Sequence, residues 1–428
     1  MSYRSYCLDQ DRRVSFNQDY DGYYTSSTLP VVKTLNSHPD MQKNGKVMVS
    51  EKEKGVSMTK TCFYILLGIL ILLIILVIIV PVAVYFSFKG GTCSQDEIIP
   101  AKKTMKELYR LPRDVLPMVY YISIKAFIPT PMVQIKNSSR FRTEGNMTVI
   151  LNCKEPVDRI VMNSVKIDIN RKTFILKNLK TDVSYPLKDM IMDPKYERVI
   201  FLLNSKLEQG ADYSLEFQFT AYMWEHLSGF YRNHYTENGQ TKYMGGTQFQ
   251  ATYARHTFPC FDEPDMKAKF MITLIHPSDL IAISNMNATQ TLRQGNGWTQ
   301  TSFNMTPKMS TYLGAIVISG FKYSESYTDS GVLFRIWAQP SQINDTVLAS
   351  RDGPKILDYF EDYFNIPFPL QKQDMVAMPD FDAGAMENWG LVLYRDNFLL
   401  YDYENTQAKL RENLVKVIAH ELAHQVMQ

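Results

Sequence analysis

The residues best suited to chemistry stand in one run, residues 415–425, which contains His420-Glu421-Leu422-Ala423-His424. On a helix, residues four apart share a face, so the imidazoles of His420 and His424 can reach a single zinc ion. Glu421 is turned about 100° from His420. From there its carboxylate can take a proton from a metal-bound water instead of ligating the metal. Leu410, Leu414, Val417 and Ile418 recur at helical spacing, and residues 407–425 contain neither Pro nor Gly. That pattern predicts a helix. It also describes a buried helix with two incidental histidines, so the assignment rests on signals elsewhere in the chain.

Two such signals lie upstream. Gly384-Ala385-Met386-Glu387-Asn388-Trp389-Gly390 precedes the helix, and before it come Thr247-Gln248-Phe249 and Phe258-Pro259-Cys260-Phe261-Asp262-Glu263-Pro264. In this order and spacing the motifs resemble the zinc aminopeptidases related to aminopeptidase N, the gluzincin aminopeptidase family, over about residues 111–425. The resemblance implies one zinc ion held by His420 and His424, with Glu421 as general base. It implies peptide substrates with a free N-terminus, whose ammonium group Glu387 holds. Gly384, Ala385, Met386 and Asn388 are then substrate-binding positions, Gly384 permitting close backbone approach. Gln248 is expected near the amino terminus and first side chain, where a neutral amide points to neutral or broad specificity. Asp262 and Glu263 read as local capping or pairing residues.

The resemblance further implies a third zinc ligand, a Glu on a later helix, and a transition-state tyrosine. The family continues its zinc helix with Trp-Phe-Gly-Asn, whereas Val426-Met427-Gln428 follow Gln425 here. The remaining histidines, His38, His226, His234, His256 and His276, have no ligand spacing. The expectation is a metallo-aminopeptidase sequence whose 428 residues lack the third zinc ligand and are inactive alone. The alternative is a catalytically dead surface protein that binds through its β domain or dampens a full-length enzyme by associating with it.

The 46 basic and 44 acidic residues leave a net charge of +2. With no basic stripe interleaved with aromatics, a nucleic-acid role is excluded. An apolar content of 45% and a charged content of 21% fit a globular chain long enough for two or three domains.

Residues 61–88 carry no charge between Lys60 and Lys89. Their length exceeds the roughly 20 residues needed to cross a bilayer, and they begin too far in for a cleaved leader. They predict a single transmembrane helix acting as signal anchor. Lys43, Lys46, Lys52, Lys54 and Lys60 outnumber Lys89, Lys102 and Lys103, which favours a cytoplasmic N-terminus. The glycosylation acceptors Asn137, Asn146, Asn287, Asn304 and Asn344 all follow the span, as an extracellular C-terminal part requires. A type II arrangement in the plasma membrane results. Residues 1–60 read as a disordered cytoplasmic tail and 89–105 as a stalk, in which Cys93 can link a homodimer. Cys153 and Cys260 read as buried small hydrophobes.

The elements that must position the chemistry follow the same order. Residues 106–320 show short alternating stretches at 121–124, 147–151, 215–219 and 270–274, predicting an all-β N-terminal sandwich. After 321, strand-like stretches at 332–337, 374–378 and 391–394 mix with a helix expected to start at Asp352-Gly353-Pro354, with Pro in its first turn. Ile356, Leu357, Phe360, Tyr363 and Phe364 form its apolar face. Residues 321–428 are thus expected to be the first part of an α+β, thermolysin-like catalytic domain in a multidomain chain.

Overall fold

The computed structural model describes Thr61, Tyr64, Ile65, Leu67, Gly68, Ile69 and residues 108–428. The expected tail, stalk and most of the 61–88 span lie outside the described residues; the six described within the span are helical. Among the described residues no helix is long and apolar enough to cross a membrane. The chain divides into two compact units, Met1–Asp96 and Glu97–Gln428, and the second holds the β region and the histidine helix.

Alternating sequence becomes alternating burial. In the strand Val115–Ala126, Tyr120, Ile122, Ile124 and Ala126 point inward while Tyr121, Ser123 and Lys125 face outward, as a period of two demands. This strand lies at the centre of a seven-stranded sheet. Edge to edge the sheet runs Ala288–Gly295, Trp298–Phe303, Lys269–Pro277, Val115–Ala126, Arg142–Cys153, Asp212–Tyr222 and Asp168–Asn178. The two strands Val115–Ala126 and Lys269–Pro277 pair in parallel. A four-stranded sheet (Ile281–Ser284, Ile316–Ser319, Gln240–Gln248, Gly229–Glu237) and a three-stranded one (Arg159–Asn163, Arg198–Leu203, Leu187–Asp193) complete this β region. The all-β character expected of this region holds, and its strands divide among three sheets. Alternation reports which residues face inward, but not which strands share a sheet.

In the Phe258–Pro264 motif Asp262 pairs locally, as expected, whereas Glu263 reaches residues some 150 positions earlier in the chain. The Asp262 carboxylate accepts from Arg255 Nε at 2.9 Å and from Thr311 Oγ1 at 2.5 Å. Glu263 takes Arg110 and Arg113, each at 2.6 Å, and also the Leu111 amide. Cys153 and Cys260 are buried free thiols.

The later part is built on a five-stranded sheet in the order Lys322–Tyr327, Leu333–Ala338, Lys372–Met378, Leu391–Arg395, Ala385–Met386. Its middle three strands are parallel. Lys372–Met378 is buried at every position, as a parallel strand covered on both faces should be. That burial includes charge. Asp374 accepts from Arg335 Nε at 2.6 Å, Arg335 Nη2 at 2.8 Å and Trp337 Nε1 at 2.9 Å, and pairs with Lys372 Nζ at 2.8 Å. Burial opposes its ionisation, but Lys372 and Arg335 outweigh that and hold the carboxyl below the ordinary range. The same ammonium of Lys372 donates to the carbonyls of Ser284 at 2.8 Å and Gly390 at 2.6 Å.

Two helices cover this sheet, α1 (Val347–Phe364) and α2 (Ala408–Met427). The expected start of α1 needs correction: the helix begins at Val347, and Pro354 lies inside it. Leu348 and Ala349 are fully buried, so packing extends the apolar face past the point where propensity would end it. Gly353 helps, because a Cβ there would stand 2.7 Å from the Phe334 ring.

The β region and the later part share one hydrophobic cluster running from Leu111 to Val426. Hydrogen bonds also cross between them. Tyr231 and Asn233 both donate to the Asp380 carbonyl, at 3.1 and 2.9 Å, and the Asn285 amide donates to the Trp389 carbonyl at 2.9 Å.

Candidate active site

The buried stripe of α2 decides where its histidines point. Leu414, Ile418, Leu422 and Val426, four residues apart, are buried, whereas Leu410, expected on the same face, is 49% exposed. His420 is left exposed and His424 half-buried. Their Nε2 atoms converge to 3.2 Å. Two nitrogens each ~2.1 Å from a tetrahedral zinc ion stand about 3.4 Å apart, so the pair suits two positions on one ion. Among the described residues no group of three or more His, Cys, Asp and Glu is placed to hold a metal.

Glu421 turns the other way and is 5% exposed, and its Oε2 is a buried oxygen with no hydrogen-bond partner. Burial first, and the nearby Glu387 carboxylate second, push its carboxyl up to about 8. The structure therefore brings Glu387 of the loop and Glu421 of the helix within electrostatic reach. The Tyr394 hydroxyl is also buried without a partner, and burial, with Glu421 behind it, pushes its phenol well above the usual value.

The loop carrying Glu387 leaves the short strand Ala385–Met386, paired antiparallel with Leu391–Arg395. Met386 is buried, and Ala385 and Glu387 are half-buried. The Asn388 amide donates to the Gly314 carbonyl at 3.1 Å and the Tyr312 carbonyl at 3.4 Å, leaving its own buried Oδ1 without a partner. The atoms nearest a Cβ at Gly384 would be those of the Phe398 ring, at 3.6 Å or more, so the protein's own packing does not require its smallness. The obligatory glycine is Gly390: its φ is +74°, and a Cβ would stand 2.6 Å from the Asn285 carbonyl oxygen.

Sequence reasoning missed Gln425. Its side chain accepts from Gly390 N at 2.7 Å and donates to the carbonyls of Glu387 at 2.9 Å and Asn388 at 3.4 Å. The Trp389 indole donates in turn to the Gln425 backbone carbonyl at 3.2 Å. One residue of the histidine helix thus ties down the loop of Glu387. Its place directly after His424 was the only available hint.

A cleft of about 450 Å³ opens at this junction, and Pro264, Tyr312, Glu387, Trp389 and His424 are among its lining residues. Burial, then Glu387, raise the Tyr312 phenol. Gln248 is not in that lining. It ends the strand Gln240–Gln248, 7% exposed, with its buried Oε1 unpartnered. Of the five sequon asparagines, Asn137, Asn146, Asn304 and Asn344 are exposed, while Asn287 is half-buried and donates to Gln371 at 3.4 Å.

Two converging imidazoles, a buried glutamate one residue along and a second carboxylate on an edge-strand loop are the chemical groups gathered at this junction. Comparison with known proteins gives the family. The Peptidase M1 N-terminal domain matches residues 117–313, and the Peptidase family M1 domain matches residues 349–427. Aminopeptidase N of Rattus norvegicus is 40% identical over 325 residues, covering 74% of this chain and 33% of that protein. Aminopeptidase N of Bos taurus is 42% identical over 328 residues and aminopeptidase Ey of Gallus gallus 41% over 326, with the same coverage. The chain belongs to peptidase family M1, and it spans about a third of the length of these relatives.

Proposed function

We propose that this chain carries the amino-terminus-recognising half of a zinc aminopeptidase site. The observation that carries the reading is the pair of histidine nitrogens 3.2 Å apart, next to a cleft that Glu387 and His424 both line. His420 and His424 would hold a zinc ion, which when bound would supply Lewis-acid chemistry toward a water and the scissile carbonyl. Glu421, whose Oε2 has no hydrogen-bond partner and whose carboxyl a bound cation would return toward its ionised form, would take the proton of the attacking water and return it to the leaving amine. Glu387 holds the substrate ammonium group, so the first peptide bond falls at the metal. Ala385 and Met386 offer backbone groups to an extended peptide. Gly384, Asn388 and Gln248 complete the substrate-binding set, and the neutral Gln248 favours neutral first residues.

A catalytic zinc site uses three protein ligands and an open position, and two histidines supply only part of that set. Zinc uptake by the purified chain is therefore expected to be weak and to require both His420 and His424. Equilibrium dialysis with metal analysis checks this; uptake unchanged in His420→Ala and His424→Ala would remove the metal role. Cells displaying the 428-residue chain are expected to hydrolyse no neutral aminoacyl chromogenic amide above background. Turnover abolished by both a chelator and Glu421→Gln would show that another group completes the site.

The second reading, a surface-binding or dominant-negative form acting through the β region, is favoured by the incomplete ligand set among the described residues. Co-precipitation with a full-length aminopeptidase of the family tests it. In both readings residues 61–88 anchor the chain in the plasma membrane, with the β region and catalytic part outside the cell and Cys93 available to link a homodimer. Protease accessibility on intact cells tests that placement.

A further inference from the structure

The outward face of the seven-stranded sheet has no part in the proposed peptidase chemistry. Its register sets Ser302, Thr273, Ser123, Asn146, Gln218 and Asn170 in one row across six strands. Every member is neutral and carries a hydroxyl or an amide. The next row holds Met271, Tyr121, Thr148, Glu216 and Ile175. Here Tyr121 is 40% and Ile175 46% exposed. The face is concave, with two adjoining grooves of about 690 and 660 Å³. Ser123, Asn146 and Gln218 line both, and Glu216 is the one charged residue lining the first. The second is ringed by Lys125, Arg142, Glu144, Asp168, Arg171 and Lys172.

Asn146 and Thr148 are the acceptor and hydroxyl residues of a single sequon, and two residues apart on a strand they share this face. We propose that Asn146 carries an N-linked glycan whose first sugars lie in the neutral groove over Tyr121 and Met271. The bond forms between Asn146 Nδ2 and the anomeric carbon of a polyisoprenyl-diphosphate oligosaccharide. The anomeric C–O bond breaks, the lipid diphosphate leaves, and the amide gives up one proton. Sugar hydroxyls and acetamido groups are neutral donors and acceptors, matching the side chains of Ser123, Thr148 and Gln218. The C–H faces of the rings cover Tyr121, Met271 and Ile175, removing apolar surface from water. A neutral occupant belongs in the groove with one charge, not in its charged neighbour. The inference rests on the extracellular placement proposed above.

The 428-residue chain made in secretory mammalian cells provides the test. Glycans are released from the folded protein with peptide N-glycosidase, and each site is followed by mass spectrometry. Asn146 is expected to be occupied and to be released roughly tenfold more slowly than Asn137, Asn304 and Asn344, the effect of ~1.4 kcal/mol of packing. Tyr121→Ala combined with Gln218→Ala, both at exposed positions, should bring the rates to within about twofold of one another. Hydroxyl-radical footprinting gives a second readout, in which Tyr121 and Met271 oxidise faster in Asn146→Gln than in the glycosylated chain. Glycans at the other sequons with Asn146 bare would overturn the inference and leave the placement standing. So would an occupied Asn146 that is released at the common rate with Tyr121 unprotected. Five bare sequons would overturn both.

Discussion

Gln425 performs no bond chemistry, yet three backbone groups of the Glu387 loop depend on its side-chain amide. Truncation to Ala strands the Gly390 N–H in a buried place, and an unsatisfied buried donor costs about 1–3 kcal/mol. Gln425→Ala is therefore expected to lower stability by roughly 2–3 kcal/mol in urea titration; a loss under about 0.5 kcal/mol would mean that the loop holds itself. Gly390→Ala combines a positive φ with a clash against the Asn285 carbonyl, and should lose about 3 kcal/mol or more in the same titration. At this scale the histidine pair and Glu421 were legible as candidates from their spacing on a helix, and Glu387 from the motif resemblance. Gln425 and Gly390 were not. Their importance lies in which backbone atoms approach them, and spacing along the chain carries no record of that.

Among the elements, the strand Lys372–Met378 places an ion pair in the middle of the later sheet. Asp374→Asn leaves Lys372 buried and unpaired, and breaking such a pair typically costs about 3–5 kcal/mol. The pH dependence has a definite sign. The Asp374 carboxyl lies below the ordinary value in the folded chain. Its contribution is therefore present above the unfolded value near ~3.9 and is lost as pH falls through the lower folded value. Stability measured down through this acid range should fall less steeply in Asp374→Asn than in the parent; equal slopes would show that Asp374 is not held ionised. The strand was visible in the sequence from Asp374 onward, but its start at Lys372 and the burial of the pair the two residues form were not. The start of α1 was misplaced for a related reason. Pro354 marks a boundary only while local propensity decides, and the burial of Leu348 and Ala349 outweighs it.

For the molecule, the shared hydrophobic cluster and the bonds from Tyr231, Asn233 and Asn285 make the β region and the catalytic part mechanically one. Residues 108–428 should unfold in a single transition with matching calorimetric and van't Hoff enthalpies. Two resolved transitions would show that the parts are thermodynamically separate. The succession of a β-rich region and a mixed later part was legible from periodicity. The number of sheets and the bonds between regions were not, since both depend on pairings between residues far apart in sequence.

The Gln425 contact has a consequence in time. Glu387 is synthesised 38 and 41 residues before the two side chains that hold its carbonyl, those of Gln425 and Gln428. A chain growing at about 5–20 residues per second leaves the loop without those partners for seconds. The loop that bears the Glu387 carboxylate thus matures late, once the histidine helix has emerged to close over it.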